Sequence, residues 1–200
     1  MRTMLIAGCM GAGLIIPAGC SPPHEGAAQP PVAVRPDGPE ASTSYESRDL
    51  AISFSHAPNR SVGACTGDWQ SEAPCLTLNG TVDGEAETFF SLRSFDGPLE
   101  QIARDQAGFA PDPAGRWMTT FGRFESVEVE SMVGSGWTGM KATVTCGVSD
   151  PATGFHAAGG DCLWMVISDG RRSVVAMTDG VHGLDADTAA TLQSIRFLTP

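Results

Sequence analysis

Residues 127–146 read VEVESMVGSGWTGMKATVTC, and this stretch decides the fold. Val127, Val129 and Val133 alternate with Glu128 and Glu130; Gly134-Ser135-Gly136 then interrupts, and Met140, Ala142, Val144 and Cys146 alternate with Lys141, Thr143 and Thr145. Successive strand side chains point to opposite faces, so this period-two pattern predicts a β-hairpin with one buried and one wet face. Gly136-Trp137-Thr138-Gly139 has the outline of a nucleophile turn, but inside a hairpin its glycines are expected to make a turn and a bulge.

Outward from this hairpin the same texture continues. Leu163 to Ile167 is continuously apolar, which suits an interior strand, and Asp169-Gly170 turns it into Val174 to Met177. On the N-terminal side, Leu50 to Phe54 reads as a first strand and Phe89 to Phe95 as another. Leu76-Thr77-Leu78 followed by Asn79-Gly80 predicts a hairpin, because Asn-Gly tolerates the positive backbone angles of a type I′ turn. A helix is expected from Pro98 to a stop at Gly108, with Leu99, Ile102, Ala103 and Ala107 on one face. A last helix starts near Asp185 or Asp187, whose carboxylates can accept from free N–H groups, and carries Ala189, Leu192 and Ile195 inward. The predicted fold class is α+β: an antiparallel β-sheet with two helices packed on it.

In outline this arrangement resembles the PsbP-like group of lumenal and bacterial proteins. The matching features are a helix after the first hairpins, a meander of long strands, and a terminal helix running into Leu192-Gln193-Ser194-Ile195-Arg196-Phe197, over residues 50 to 198. That group shares no catalytic motif, so the resemblance implies a binding or assembly role.

The first twenty residues have another logic. Arg2 supplies a positive start, and Met4 to Ile16 is an apolar run of signal-peptide length, too short to span a bilayer. It ends in Ile16-Pro17-Ala18-Gly19-Cys20, which resembles the lipobox of bacterial lipoproteins, with Pro17 where the family usually has Leu. The resemblance implies cleavage after residue 19, lipidation of Cys20, and a stable membrane anchor, since each buried methylene contributes about 0.8 kcal/mol. Ser21, rather than Asp, follows the cysteine and by analogy with enteric sorting favours the outer membrane, facing the periplasm. Residues 20–44 are then a Pro-rich, disordered tether, because they lack the apolar side chains to offset their ordering entropy. Residues 45–200 form one domain, of a size that sustains its own core.

That domain holds Cys65, Cys75, Cys146 and Cys162. An even count in an oxidising compartment implies two bridges with three possible connectivities. The favoured pairing is Cys65–Cys75 with Cys146–Cys162, because Cys146 ends one predicted strand and Cys162 begins the next. No C-x-x-C pair exists and His156 is the only histidine near two of the cysteines, so neither a metal site nor a cofactor is expected.

The chain of 200 residues carries a formal charge of −11 and a single lysine, Lys141, with scattered arginines, so nucleic acid is not the expected partner. No G-x-S-x-G, H-E-x-x-H, Walker or dinucleotide motif appears. Asp83-Gly84-Glu85-Ala86-Glu87 lacks the ligand set of a calcium loop and reads as an exposed acidic turn. Glu128 and Glu130 face one way as a glycosidase pair would, though a solvated strand face explains them more simply. His56, His156 and His182 fall in separate predicted loops. The candidate binding residues are Phe155 and His156, at the tip of a loop from Gly147 to Asp161 closed by the Cys146–Cys162 bridge, with Asp68 and Trp69 in the other stapled loop. A loop held shut at its base loses less entropy on docking. The expected function is a non-enzymatic envelope lipoprotein that binds a protein, as an inhibitor or immunity factor; the alternatives are a carrier of an apolar small ligand and an envelope hydrolase.

Overall fold

The computed structural model describes residues 42–67, 72–120, 125–150, 155–178, 180 and 184–199. The signal peptide, nearly all of the tether, Asp68, Trp69 and His182 lie outside the described residues.

The hairpin predicted at residues 127–146 forms from Glu130 onward, at one edge of a seven-stranded antiparallel sheet. Its strands are β3 (Ser61–Ala64), β4 (Cys75–Val82), β5 (Glu85–Asp96), β9 (Glu130–Gly134), β10 (Trp137–Asp150), β11 (Phe155–Ser168) and β12 (Arg172–Thr178). They lie side by side as β3-β4-β5-β12-β11-β10-β9. β11 is interior, as its apolar run requires: Leu163, Met165 and Ile167 enter one core while Cys162 and Val166 enter another on the opposite face. The protein is therefore layered, with the sheet in the middle.

One face is covered by a small sheet of β1 (Thr43–Ser47), β2 (Ile52–His56) and β13 (Arg196–Phe197), and by helix α2 (Ala186–Gln193). This core joins Ile52, Phe54, Leu92, Met165, Trp137 and Ile195. The Trp137 indole N–H donates to the Ile195 carbonyl at 2.9 Å, so the ring is satisfied while buried. The other face is covered by α1 (Leu99–Ala107), packed on β10, β11 and β12. A third sheet of β6 (Ala110–Pro111), β7 (Trp117–Thr119) and β8 (Val127–Glu128) lies in the same layer, with Phe109 and Val129 in its core.

The described residues are mostly antiparallel sheet with two helices and two disulfides, more sheet-dominated than the α+β outline expected. The first helix starts and stops as read, and the last starts as read but ends at Gln193, so Ile195 is buried beyond it. Pro98 caps α1, and Gly108 ends it at φ 63°, a left-handed angle that glycine adopts without penalty. Asp185 caps α2 by accepting from the Thr188 N–H at 2.7 Å. The inward face of α2 is Thr188, Thr191 and Leu192, with Ala189 only half-buried.

Four expectations are corrected. The first strand is Ile52–His56, shifted by a turn at Ala51 (φ 52°), and it pairs with β1, whose Thr43 and Ser44 had been placed in the tether. Asn79-Gly80 is not a turn; β4 runs through it, and the chain reverses at Asp83-Gly84 (φ 51° and 90°). Gly80 is needed because the Arg60 side chain passes over it to stack on Phe89, 3.5 Å from the ring centroid. Gly136 makes a turn at φ 81°, but Gly139 makes no bulge; it is a close approach, where a Cβ would meet the Val166 carbonyl at 2.7 Å. Finally, residues 127–134 are two strands in different sheets, broken at Val129, and Val133 is 81% exposed although its register with Thr138 puts it on the Met140 face, because it sits on the edge strand β9.

Candidate functional site

Both disulfides form as favoured, each with Cα atoms 5.7 Å apart. Cys146 and Cys162 are buried beneath α1, whereas Cys65 and Cys75 are half-buried at a sheet corner. Around the buried pair the chain is tightly drawn in: a Cβ on Gly180 would collide with the Cys146 sulfur and approach Cys162 Sγ at 3.0 Å.

The segment from Gly147 to Asp161 is not the open loop expected from its composition. β10 and β11 remain laddered beyond the staple, from Gly147↔Ala158 to Asp150↔Phe155, with a bulge between Thr145 and Gly147. Glycine, alanine and serine gave no period-two signal there, but a hairpin started by apolar pairs can propagate through them on backbone hydrogen bonds. The register places Phe155 opposite Asp150 and His156 opposite Ser149, so the two candidate residues begin β11.

The geometry of this arm follows from unequal strand lengths. β10 and β11 are each 14 residues long. β9 accompanies β10 only over Trp137–Lys141, and β12 accompanies β11 only over Trp164–Ser168. Beyond those limits, among the described residues, the hairpin has no flanking strand. A ribbon of this kind offers two rows of backbone donors and acceptors, which are templates for strand addition.

A second feature lies at the other end of the sheet order. A cavity of about 620 Å³ is lined by Tyr45 and Ser47 of β1, Val62 to Ala64 of β3, and the stapled corner at Cys75, among others. Its floor is Leu50 and Leu76, both buried. The Leu50 N–H donates to Ser47 Oγ at 3.2 Å, and Tyr45 stacks on Phe54 with centroids 5.3 Å apart, so this wall is fixed from behind. Little in the chain signals it, because Ser61-Val62-Gly63-Ala64 has no apolar alternation and Tyr45 stands among polar residues.

The remaining candidates are dispersed. His56 is buried, with Nδ1 2.9 Å from the Ala57 carbonyl. Glu128 and Glu130 lie in separate sheets, and Glu130 pairs with Lys141 at 3.2 Å. The Asp83-Gly84 turn is exposed. Among the described residues no three His, Cys, Asp or Glu side chains converge in a metal-binding group. The most shifted carboxyl is structural: Asp112, in the turn before β7, is held below the ordinary carboxylate range by the Arg116 backbone N–H and then by the Arg116 guanidinium.

No protein-family model matches the chain, and no curated protein matches it. Among solved structures, a Bacteroides thetaiotaomicron protein is similar with a TM-score of 0.46 and 8% identity over 78% of this chain and 48% of that one, so the chain spans about half its length. The solution structure of cyanobacterial PsbP (CyanoP) from Synechocystis is similar with a TM-score of 0.43 and 8% identity, over 84% of this chain and 99% of that one.

Proposed function

We propose that this chain is a lipid-anchored envelope protein, held through Cys20 in the outer membrane, whose domain binds a protein partner without catalysing a reaction. The single observation that carries the reading is the β10–β11 arm: a hairpin that outruns its neighbours and is stapled where it leaves them. A rigid arm loses less entropy on docking than a free loop of equal length. Phe155 and His156 sit where the far end of the arm meets a partner, and Asp68 and Trp69 in the other stapled loop supply a second contact. The acidic charge favours a basic partner surface, and a toxic envelope hydrolase held in check is the partner class in view.

The test is capture of partners from native membranes by the full chain. Phe155→Ala with His156→Ala is expected to weaken capture at least tenfold, and unchanged capture would sink the arm assignment. Separately, Cys20→Ser is expected to move the protein from the membrane to the soluble fraction. An unaltered distribution would overturn the anchor while leaving the arm to stand or fall on the first result.

A further inference from the structure

The cavity at the stapled corner is bounded by two sheet edges. β1 is the outer strand of its three-stranded sheet, pairing only with β2. β3 is the outer strand of the seven-stranded sheet, pairing only with β4. Among the described residues each therefore has one backbone side without a strand partner, and residues of both line the same cavity. Exposed edges of this kind usually carry a lysine, a proline or a covering loop that blocks strand addition. β1 and β3, reading TSYES and SVGA, contain no lysine or proline, and among the described residues the β3–β4 connection contributes Glu72 to Pro74 to the cavity wall without pairing as a strand with β3.

The chemistry of the walls is divided. Leu50, Leu76, Val62 and Tyr45 supply an apolar floor and side. Asp49 and Glu72 supply two exposed carboxylates, neither of which forms an ion pair among the described residues, and no lysine or arginine lines the cavity. The Cys65–Cys75 bond joins the end of β3 to the start of β4 and so fixes one wall before anything binds.

We infer that this cavity is a second binding site, which takes a short extended peptide segment bearing alternate apolar and basic side chains. The segment adds as a strand to the free edge of β3, seats its apolar side chains over Leu50 and Leu76, and presents its cations to Asp49 and Glu72. Strand addition supplies affinity through main-chain hydrogen bonds and specificity through alternate side chains. The carboxylates set the sign of the charge. The site is distinct from the β10–β11 arm, since β3 and β10 are separated by β4, β5, β12 and β11 in the sheet.

The probes are the labelled hexapeptide Val-Lys-Val-Lys-Val-Lys, its counterpart with Glu for Lys, and a version with proline for the second and third valines, at about 0.15 M ionic strength, where screening removes loose charge attraction. The full chain is expected to bind the Lys peptide saturably, the Glu peptide at least tenfold more weakly, and the proline peptide at least tenfold more weakly because it lacks two donors. Asp49→Asn combined with Glu72→Gln, both at exposed positions, is expected to weaken the Lys peptide at least fivefold. Amide exchange in the unsubstituted protein should slow at Val62 to Ala64 on binding. Absence of saturable binding, equal binding of the Lys and Glu peptides, indifference to the double substitution, or protection confined to Gly147 to Ala158 would each overturn the inference. The last result would instead assign the peptide to the arm.

Discussion

The two disulfides close loops of similar size and do different work. Cys65–Cys75 spans 10 residues and Cys146–Cys162 spans 16, a difference that changes the chain-entropy contribution by only about 0.4 kcal/mol. The first follows directly on the Ala64↔Leu76 pair that ends the β3–β4 ladder and sits half-buried at a sheet edge. The second lies within the β10–β11 ladder, at its register shift, in the core that α1 covers, with Gly180 against its sulfurs. Burial and packing therefore separate the two bonds more than loop length does: one fixes a surface wall, the other anchors a lever to the core.

The largest expected effect is on the buried staple. Replacing Cys146 and Cys162 together with alanine should cost roughly 4 kcal/mol, the loop contribution plus lost packing, as read by chemical denaturation under oxidising conditions. A cost no greater than that of the other pair would remove the distinction. Gly180→Ala sharpens the same point without touching sulfur. The added methyl collides with Cys146 Sγ and approaches the Gly159 carbonyl at 2.7 Å, so a loss of about 3 kcal/mol is expected.

Next comes the exposed staple. Cys65→Ser with Cys75→Ser should cost about 2 kcal/mol, and the decisive reading is local: amide exchange at Ser61 to Ala64 should accelerate while the arm is unaffected. The smallest effect concerns a corner that has no disulfide. The Asp112 carboxyl is lowered in the folded chain, first by the Arg116 N–H and then by its guanidinium, so its contribution is complete above the ordinary carboxylate range and disappears as pH falls through the lowered value. The Ala114 and Arg116 amide resonances should titrate together at a pH below that of a free aspartate, and Asp112→Asn should abolish the transition.

What the sequence revealed depended on how local each signal was. Pro98, Gly108 and Asp185 act within one helical turn, and the helices begin and end where those residues place them. The run Met140, Ala142, Val144, Cys146 buries as its alternation demands. Asn79-Gly80 misled because two turn dipeptides lie four residues apart, and the choice between them is made by Arg60. That side chain stacks on Phe89, pairs with Asp185 from the start of α2, and needs the missing side chain at Gly80. Val133 misled because alternation gives a face and not its cover: it lies on the Met140 face as read, but on the edge strand β9, where it is exposed. Of the candidate sites, the staples were readable because cysteine chemistry restricts the options. The arm was read as a loop, since small residues carry no period. The corner cavity was invisible, because two edges far apart in sequence have to meet before it exists.

The pairing of β2 with β13 joins Ile52 and Ser53 to Phe197 and Arg196. The β1-β2-β13 sheet is therefore assembled from segments far apart in the chain, and the Trp137 indole waits on Ile195 in the same way. A polypeptide delivered from its first residue onward, by a ribosome or through a secretion pore, has to remain open until almost all of it has arrived.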